Sequence, residues 1–142
     1  MKAKMIVVAG AGGFIGGHLV GELIRKGHRN IRAIDIKPFE EWYQLFPEAQ
    51  NIKSDLKGKS ACVRACRDAS EIYNLAADMG GMGFIENNKA LCMLSVLINT
   101  HLLQAAVEAN AERFFYASSA CVYNADKQVS EDVVALREED AY

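Results

Sequence analysis

Polarity along the chain changes period several times, and each change marks an element. Met5-Ile-Val-Val-Ala9 is an unbroken apolar run of strand length and predicts a buried strand. The glycine-rich stretch Gly10-Ala-Gly-Gly13-Phe-Ile-Gly16 interrupts it. Leu19, Leu23 and Ile24 then recur at helical spacing, which predicts a helix over Phe14–Lys26. A second strand follows at Ile31–Asp35. Residues 37–48 are less regular, hold both prolines and the single tryptophan, and are expected to be partly helical. The series continues with a strand near Asn51–Lys53, a helix over Lys59–Arg67, a strand at Glu71–Asn74, a long helix over Glu86–Asn110 and a strand at Arg113–Tyr116. Asn124–Tyr142 is polar and acidic and reads as loop with one helical turn.

Strands alternating with helices predict an α/β chain. The expected architecture is a Rossmann-like, doubly wound parallel sheet in three α/β/α layers. Residues 1–123 are expected to form the nucleotide-binding domain, and 124–142 to begin the segment that follows it. Ligands of such sheets bind at the carboxyl ends of the strands. Those ends here are the glycine turn, Asp35, Asp55-Leu56, the stretch 75–83 and Ala117–Cys121, all small or polar.

Strand, glycine turn, helix is the order that offers free backbone N–H groups to a phosphate. Gly10, Gly13 and Gly16 carry the turn, and Phe14 and Ile15 open the helix. Asp35 lies nineteen residues past Gly16, where a carboxylate meets the adenosine ribose hydroxyls of a bound dinucleotide. No arginine occurs in 35–37 to receive a 2′-phosphate, so NAD is favoured over NADP. The competing reading is a glycine-rich turn that serves packing alone.

Asp55 and Leu56 suit an adenine, the carboxylate accepting from its amino group and Leu56 covering the ring; Asp55 would serve equally as a helix N-cap. Leu75, Ala76 and Ala77 are small enough for a flat cofactor to pass. Asp78–Phe84 then holds three glycines and two methionines and reads as a loop approached closely by a ligand. In Ser118-Ser119-Ala120-Cys121 a hydroxyl can bond a reacting oxygen. Cys121 can act as a thiolate base, against the alternative of a small buried residue.

Composition narrows the picture further. About half the residues are apolar (51%) and a quarter charged (24%), as in an ordinary globular chain. The net charge of −2 leaves no electrostatic footprint for nucleic acid. Cys62, Cys66, Cys92 and Cys121 lack zinc-site spacing, so no metal is expected; Cys62 and Cys66 share a helical face and read as filling. With no secretory leader recognisable, a reducing cytoplasm is expected. Ala90–Val107 has no Asp, Glu, Lys or Arg over eighteen positions, yet Asn99, Thr100, His101 and Gln104 interrupt it. That favours a helix covered on both sides over a membrane span, with a homodimer partner on the second side.

Together, Gly10-x-x-Gly13-x-x-Gly16, Asp35, Asp55-Leu56, Asn74-Leu-Ala-Ala and Ser118-Ser-Ala-Cys-Val-Tyr123 resemble the extended short-chain dehydrogenase/reductase family of sugar-nucleotide epimerases and dehydratases. Two longer strings, Asn74–Ile85 and Arg113–Tyr123, resemble its branch that acts on GDP-mannose. The resemblance covers 5–123 and implies NAD as cofactor. It also implies transient oxidation at the hexose C4, epimerisation at C3 and C5, and re-reduction. Ser118 would touch the cofactor. Ser119 would bond the C4 oxygen, Cys121 would be the base, and Gly80 and Ala120 would line the sugar. Two departures stand out. The family's asparagine on the long helix is replaced by Ser95, with Asn99 one turn later. The family's Tyr-x-x-x-Lys pair falls about thirty residues past Ser119 by that resemblance, so the chain alone is expected to be inactive. Alternatives are another sugar-nucleotide reaction of the family, or a non-catalytic NAD-binding module that works with a partner chain.

Overall fold

The structure is a computed structural model that describes residues 4–78, 82–119, 122–124, 127 and 135–141. Five strands, β1 (Met5–Ala9), β2 (Ile31–Asp35), β3 (Gln50–Lys53), β4 (Ala69–Asn74) and β5 (Arg113–Tyr116), pair in parallel in the order β3-β2-β1-β4-β5. The chain starts at the centre, moves to one edge, then crosses back to the other side of β1. This reversal opens a crevice at the carboxyl ends of β1 and β4. Register keeps those ends level, with Ala9 opposite Ile34 and Asn74, and Asn74 opposite Tyr116.

Helices α1 (Phe14–Arg25), α2 (Lys59–Cys66), α3 (Met82–Asn87) and α4 (Lys89–Glu108) complete the described elements, with 3-10 turns at Phe39–Glu41 and Glu138–Asp140. β1 is apolar throughout because both its faces are covered. Ile6 and Val8 pack with Val20 and Leu23 of α1. Val7 and Ala9 pack on the opposite face with Cys62 of α2 and Leu102 of α4. The layers are therefore helix, sheet, helix, as the alternating pattern predicts.

The structure changes one local expectation and decides another. The long helix is two helices: α3 begins at Met82, inside the stretch read as loop, and the backbone breaks at Asn88 (φ −129°, ψ 37°) before α4. Asp55 is no helix cap, because α2 starts from Gly58 and the Asp55 carboxylate instead accepts the Lys57 N–H at 2.9 Å. Within this chain the core covers one side of α4, with Ile98, Leu102, Ala105 and Ala106 buried, and leaves Met93, Val96, Leu103 and Val107 of the other side exposed. By length and composition α4 could cross a membrane, with a mean hydropathy of 1.7. Its buried face nevertheless packs into the core described above, so the apolar character has a use within this fold.

Cys62 and Cys66 lie a helical turn apart in that core. Burial pushes the Cys62 thiol up to about 11, helped by nearby Asp55, and the Cys66 thiol up to about 12. In the unfolded chain both ionise near the ordinary thiol value, so stability falls as pH rises above that value toward the folded ones. At neutral pH neither forms a thiolate. Iodoacetamide is expected to spare both in the folded chain and to label both in urea, read by peptide mass spectrometry. Equal labelling in the two states contradicts the packing.

Candidate functional site

The glycine turn is shaped by backbone crowding. Gly10 has φ +82°, and a Cβ on it would lie 2.7 Å from the Leu75 carbonyl group. A Cβ on Gly16 would lie 2.1 Å from the Gly10 carbonyl oxygen. Only glycine therefore lets α1 start directly against the ends of β1 and β4. Gly13 is the N-cap of α1, and no side chain caps the helix. Its first-turn N–H groups, at Phe14, Ile15 and Gly16, form the positive end of the helix dipole and suit an anion.

Asp35, at the end of β2, is buried. Its Oδ2 accepts the Gly12 N–H at 2.9 Å and its Oδ1 accepts the Lys37 N–H at 3.0 Å. Each oxygen keeps a further lone-pair site, so the carboxylate is fixed without being saturated. Residues 36–48 fold back over the glycine turn. Tyr43 donates its N–H to the Gly12 carbonyl at 3.0 Å, and the Trp42 indole donates to the Lys37 carbonyl at 3.1 Å.

Gly10, Gly13, Asp35, Asp55, Leu56, Leu75, Ala76 and Ala77 line one cleft of about 690 Å³, counting the part open to solvent. Phe14 and Ile15 are not part of this lining and their side chains are exposed, so only their backbone suits the role expected of them. Ile36, Lys37, Ser54, Lys57, Asp78 and Ile98 also line the cleft. Ser118 and Ser119 follow β5, exposed and outside this lining, on the same sheet edge. Gly80, Ala120 and Cys121 lie outside the described residues.

Helix α4 supplies contacts that the sequence pattern did not single out. Ser95, the departure noted above, accepts the Asp78 N–H at 3.0 Å. Asn99 Oδ1 accepts from the Asn74 amide at 3.3 Å, and Asn74 Oδ1 in turn accepts the Ala76 N–H at 3.2 Å. The helix thus holds the strand β4 loop through Ser95 and Asn99. Polar residues on an otherwise apolar helix were the available signal. A Tyr-x-x-x-Lys spacing also occurs within the chain, at Tyr123 and Lys127. It stands only four residues past Ser119, and Lys127 is tied in an ion pair to Asp140.

A crevice at the strand-order reversal, an uncapped helix end and a fixed acid after β2 define a Rossmann-type dinucleotide-binding protein. Comparison with known proteins sharpens the class. The chain belongs to the NAD dependent epimerase/dehydratase family, whose model matches residues 6–142. It is 41% identical over 139 residues to GDP-mannose 3,5-epimerase 1 of Oryza sativa subsp. indica, covering 96% of this chain and 36% of that protein. The chain therefore spans about a third of the length of that relative. Among solved structures it is similar to MoeE5 in complex with UDP-glucose and NAD, at 32% identity and a TM-score of 0.72, over 84% of this chain and 38% of the other. The epimerase Mth375 of Methanothermobacter thermautotrophicus shares the fold, with a TM-score of 0.80 at 23% identity over 99% of this chain and 41% of its own.

The packing at the turn can be tested by substitution. Gly16→Ala is expected to destabilise the chain by about 1–3 kcal/mol, because backbone must move. Gly83→Ala, whose Cβ meets nothing within 4 Å in helix α3, is expected to be neutral or to stabilise by up to about 1 kcal/mol. Urea unfolding reads both. Equal effects contradict the crowding argument.

Proposed function

We propose that this chain is the NAD-binding portion of a sugar-nucleotide epimerase similar to GDP-mannose 3,5-epimerase. The observation that carries the reading is the Asp35 carboxylate, buried and fixed at the edge of the cleft that the glycine turn opens. The NAD pyrophosphate would lie on the Gly10–Gly16 turn, with the first-turn N–H groups of Phe14, Ile15 and Gly16 facing it. Asp35 would accept from the adenosine ribose hydroxyls and repel a 2′-phosphate. Asp55 and Leu56 would hold adenine, and Leu75, Ala76, Ala77 and Ser118 would flank the nicotinamide half. When bound, NAD accepts a hydride and returns it.

The substrate side rests on similarity. Identity to the rice enzyme supports GDP-mannose over other sugar nucleotides. Ser119 would bond the hexose C4 oxygen, Cys121 would remove protons from C5 and C3, and Gly80 and Ala120 would line the sugar. The one Tyr-x-x-x-Lys spacing here has its lysine engaged with Asp140, so the C4 acid–base pair is assigned to residues beyond these. The cytoplasmic setting belongs to the same reading, supported by the free thiols of Cys62, Cys66 and Cys92. A second copy would cover the outer face of α4, where Met93 is 67% and Val107 72% exposed. An apolar face of this kind marks an interaction site.

Three outcomes are expected. Calorimetric titration gives tighter binding of NAD+ than of NADP+, by about tenfold or more, and Asp35→Ala removes most of that preference. Equal affinities, or a preference unchanged in Asp35→Ala, contradict the cofactor assignment. The chain with NAD+ and GDP-mannose yields no C3 or C5 epimer; turnover contradicts the assignment of the acid–base pair elsewhere. In sedimentation, Val107→Glu shifts dimer to monomer, and a monomeric unmodified chain contradicts the α4 interface.

A further inference from the structure

The loop after β3 is held from behind by two helices. Within the loop, Asp55 Oδ1 accepts the Lys57 N–H at 2.9 Å. From α2, the Cys62 thiol donates to the Leu56 carbonyl at 3.0 Å. From α4, His101 Nδ1 lies 2.9 Å from the Lys57 carbonyl oxygen, across 44 residues of sequence. A carbonyl can only accept, so Nδ1 carries the proton and, in the neutral ring, Nε2 is bare. Both carbonyls at 56 and 57 are thereby turned to the helices. The Asp55 carboxylate, whose Oδ2 also lies 3.6 Å from the Lys57 ammonium, lines the cleft together with Ser54. Helix α4 reaches the same cleft one turn earlier through Ile98.

We propose that His101 is a positioning residue for the adenine end of the cofactor: its Nδ1–H holds the Lys57 carbonyl and so fixes the Asp55 carboxylate against the adenine amino group. The proposal rests on the NAD-binding reading above. A histidine that only fills space would add stability without affecting which base is bound. A histidine that fixes the loop sets base selectivity, because the loop is ordered before the ligand arrives and less freedom is lost on binding. A carboxylate held at the amino edge favours adenine over hypoxanthine, which has a carbonyl there.

The test titrates three forms of the chain with NAD+ and with nicotinamide hypoxanthine dinucleotide by calorimetry. His101→Asn keeps a donor near the Nδ1 position; His101→Asp puts an acceptor there, facing the Lys57 carbonyl. The unmodified chain is expected to prefer NAD+ by about tenfold, and His101→Asn to keep that preference. His101→Asp is expected to lose about tenfold in NAD+ affinity and much less for the hypoxanthine analogue, so that the preference collapses. Equal NAD+ affinity in all three forms overturns the proposal, and so does a proportionate loss for both ligands. Nitrogen-15 NMR of the unmodified chain tests it independently of any variant. The His101 ring is expected as the Nδ1–H tautomer, and an Nε2–H tautomer with bare Nδ1 overturns the proposal. If the unmodified chain binds neither dinucleotide, the cofactor reading fails and this proposal fails with it. NAD+ binding that is indifferent to His101 overturns this proposal alone.

Discussion

Gly16 sits where any side chain would strike the Gly10 carbonyl oxygen, and Gly10 sits where one would strike the backbone of Leu75. Three backbone segments meet at that point: the end of β1, the start of α1 and the end of β4. Their closeness sets the position of everything else at the cleft. It brings the uncapped end of α1 to the crevice between β1 and β4. It also brings the Gly12 N–H within reach of Asp35, and that bond ties the turn to β2. A single methyl group at Gly16 would push α1 outward and loosen each of these relations together. Segment 36–48 reinforces the arrangement from outside, through the Tyr43 N–H on Gly12.

Helix α4 combines two tasks that explain its composition. Its inner face is mostly apolar, with Ile98, Leu102, Ala105 and Ala106 in the core, and Leu102 fully buried. The polar residues on that side, Ser95, Asn99 and His101, each meet a loop or strand end at the cleft. The outer face is apolar and exposed. Helices in proteins are stabilised mainly by packing rather than by propensity, so the inner face holds α4 in place, and the outer face is where the proposed second copy would lie. One rigid helix therefore lies between the cofactor loops and the face assigned to a second copy.

The strands and the glycine turn were legible in the sequence because their signals are local. An apolar run, a glycine spacing and an acid nineteen residues on are read within one βαβ unit. The break at Asn88 was not legible, since the residues of α3 read partly as a glycine-rich loop and partly as the start of the long helix, and nothing local marks where the backbone turns. Trp42 stood out only as the single tryptophan; its indole bond to Lys37 and its place over Gly12 depend on how residues 36–48 fold back. His101 read as a polar interruption in an apolar helix, and Ser95 as a departure from the family's asparagine. Their partners, Lys57 and Asp78, lie 44 and 17 residues away, and no local pattern encodes that pairing. For Asp55, sequence left cap and ligand group open, and the geometry removes the cap. Family similarity supplied the catalytic expectations for Ser119 and Cys121, which periodicity alone could not have raised above small polar residues.

The central claim is that one cleft at the carboxyl ends of β1, β2, β3 and β4 receives NAD. Backbone amide NMR of the isotopically labelled chain, recorded as NAD+ is added, tests it most directly. The account predicts saturable shifts concentrated at Gly10–Gly16, Asp35, residues 55–57 and residues 75–77, with the outer face of α4 and the edge of β5 unmoved. No saturable shifts, or shifts centred on the outer face of α4 or the β5 edge, would contradict it.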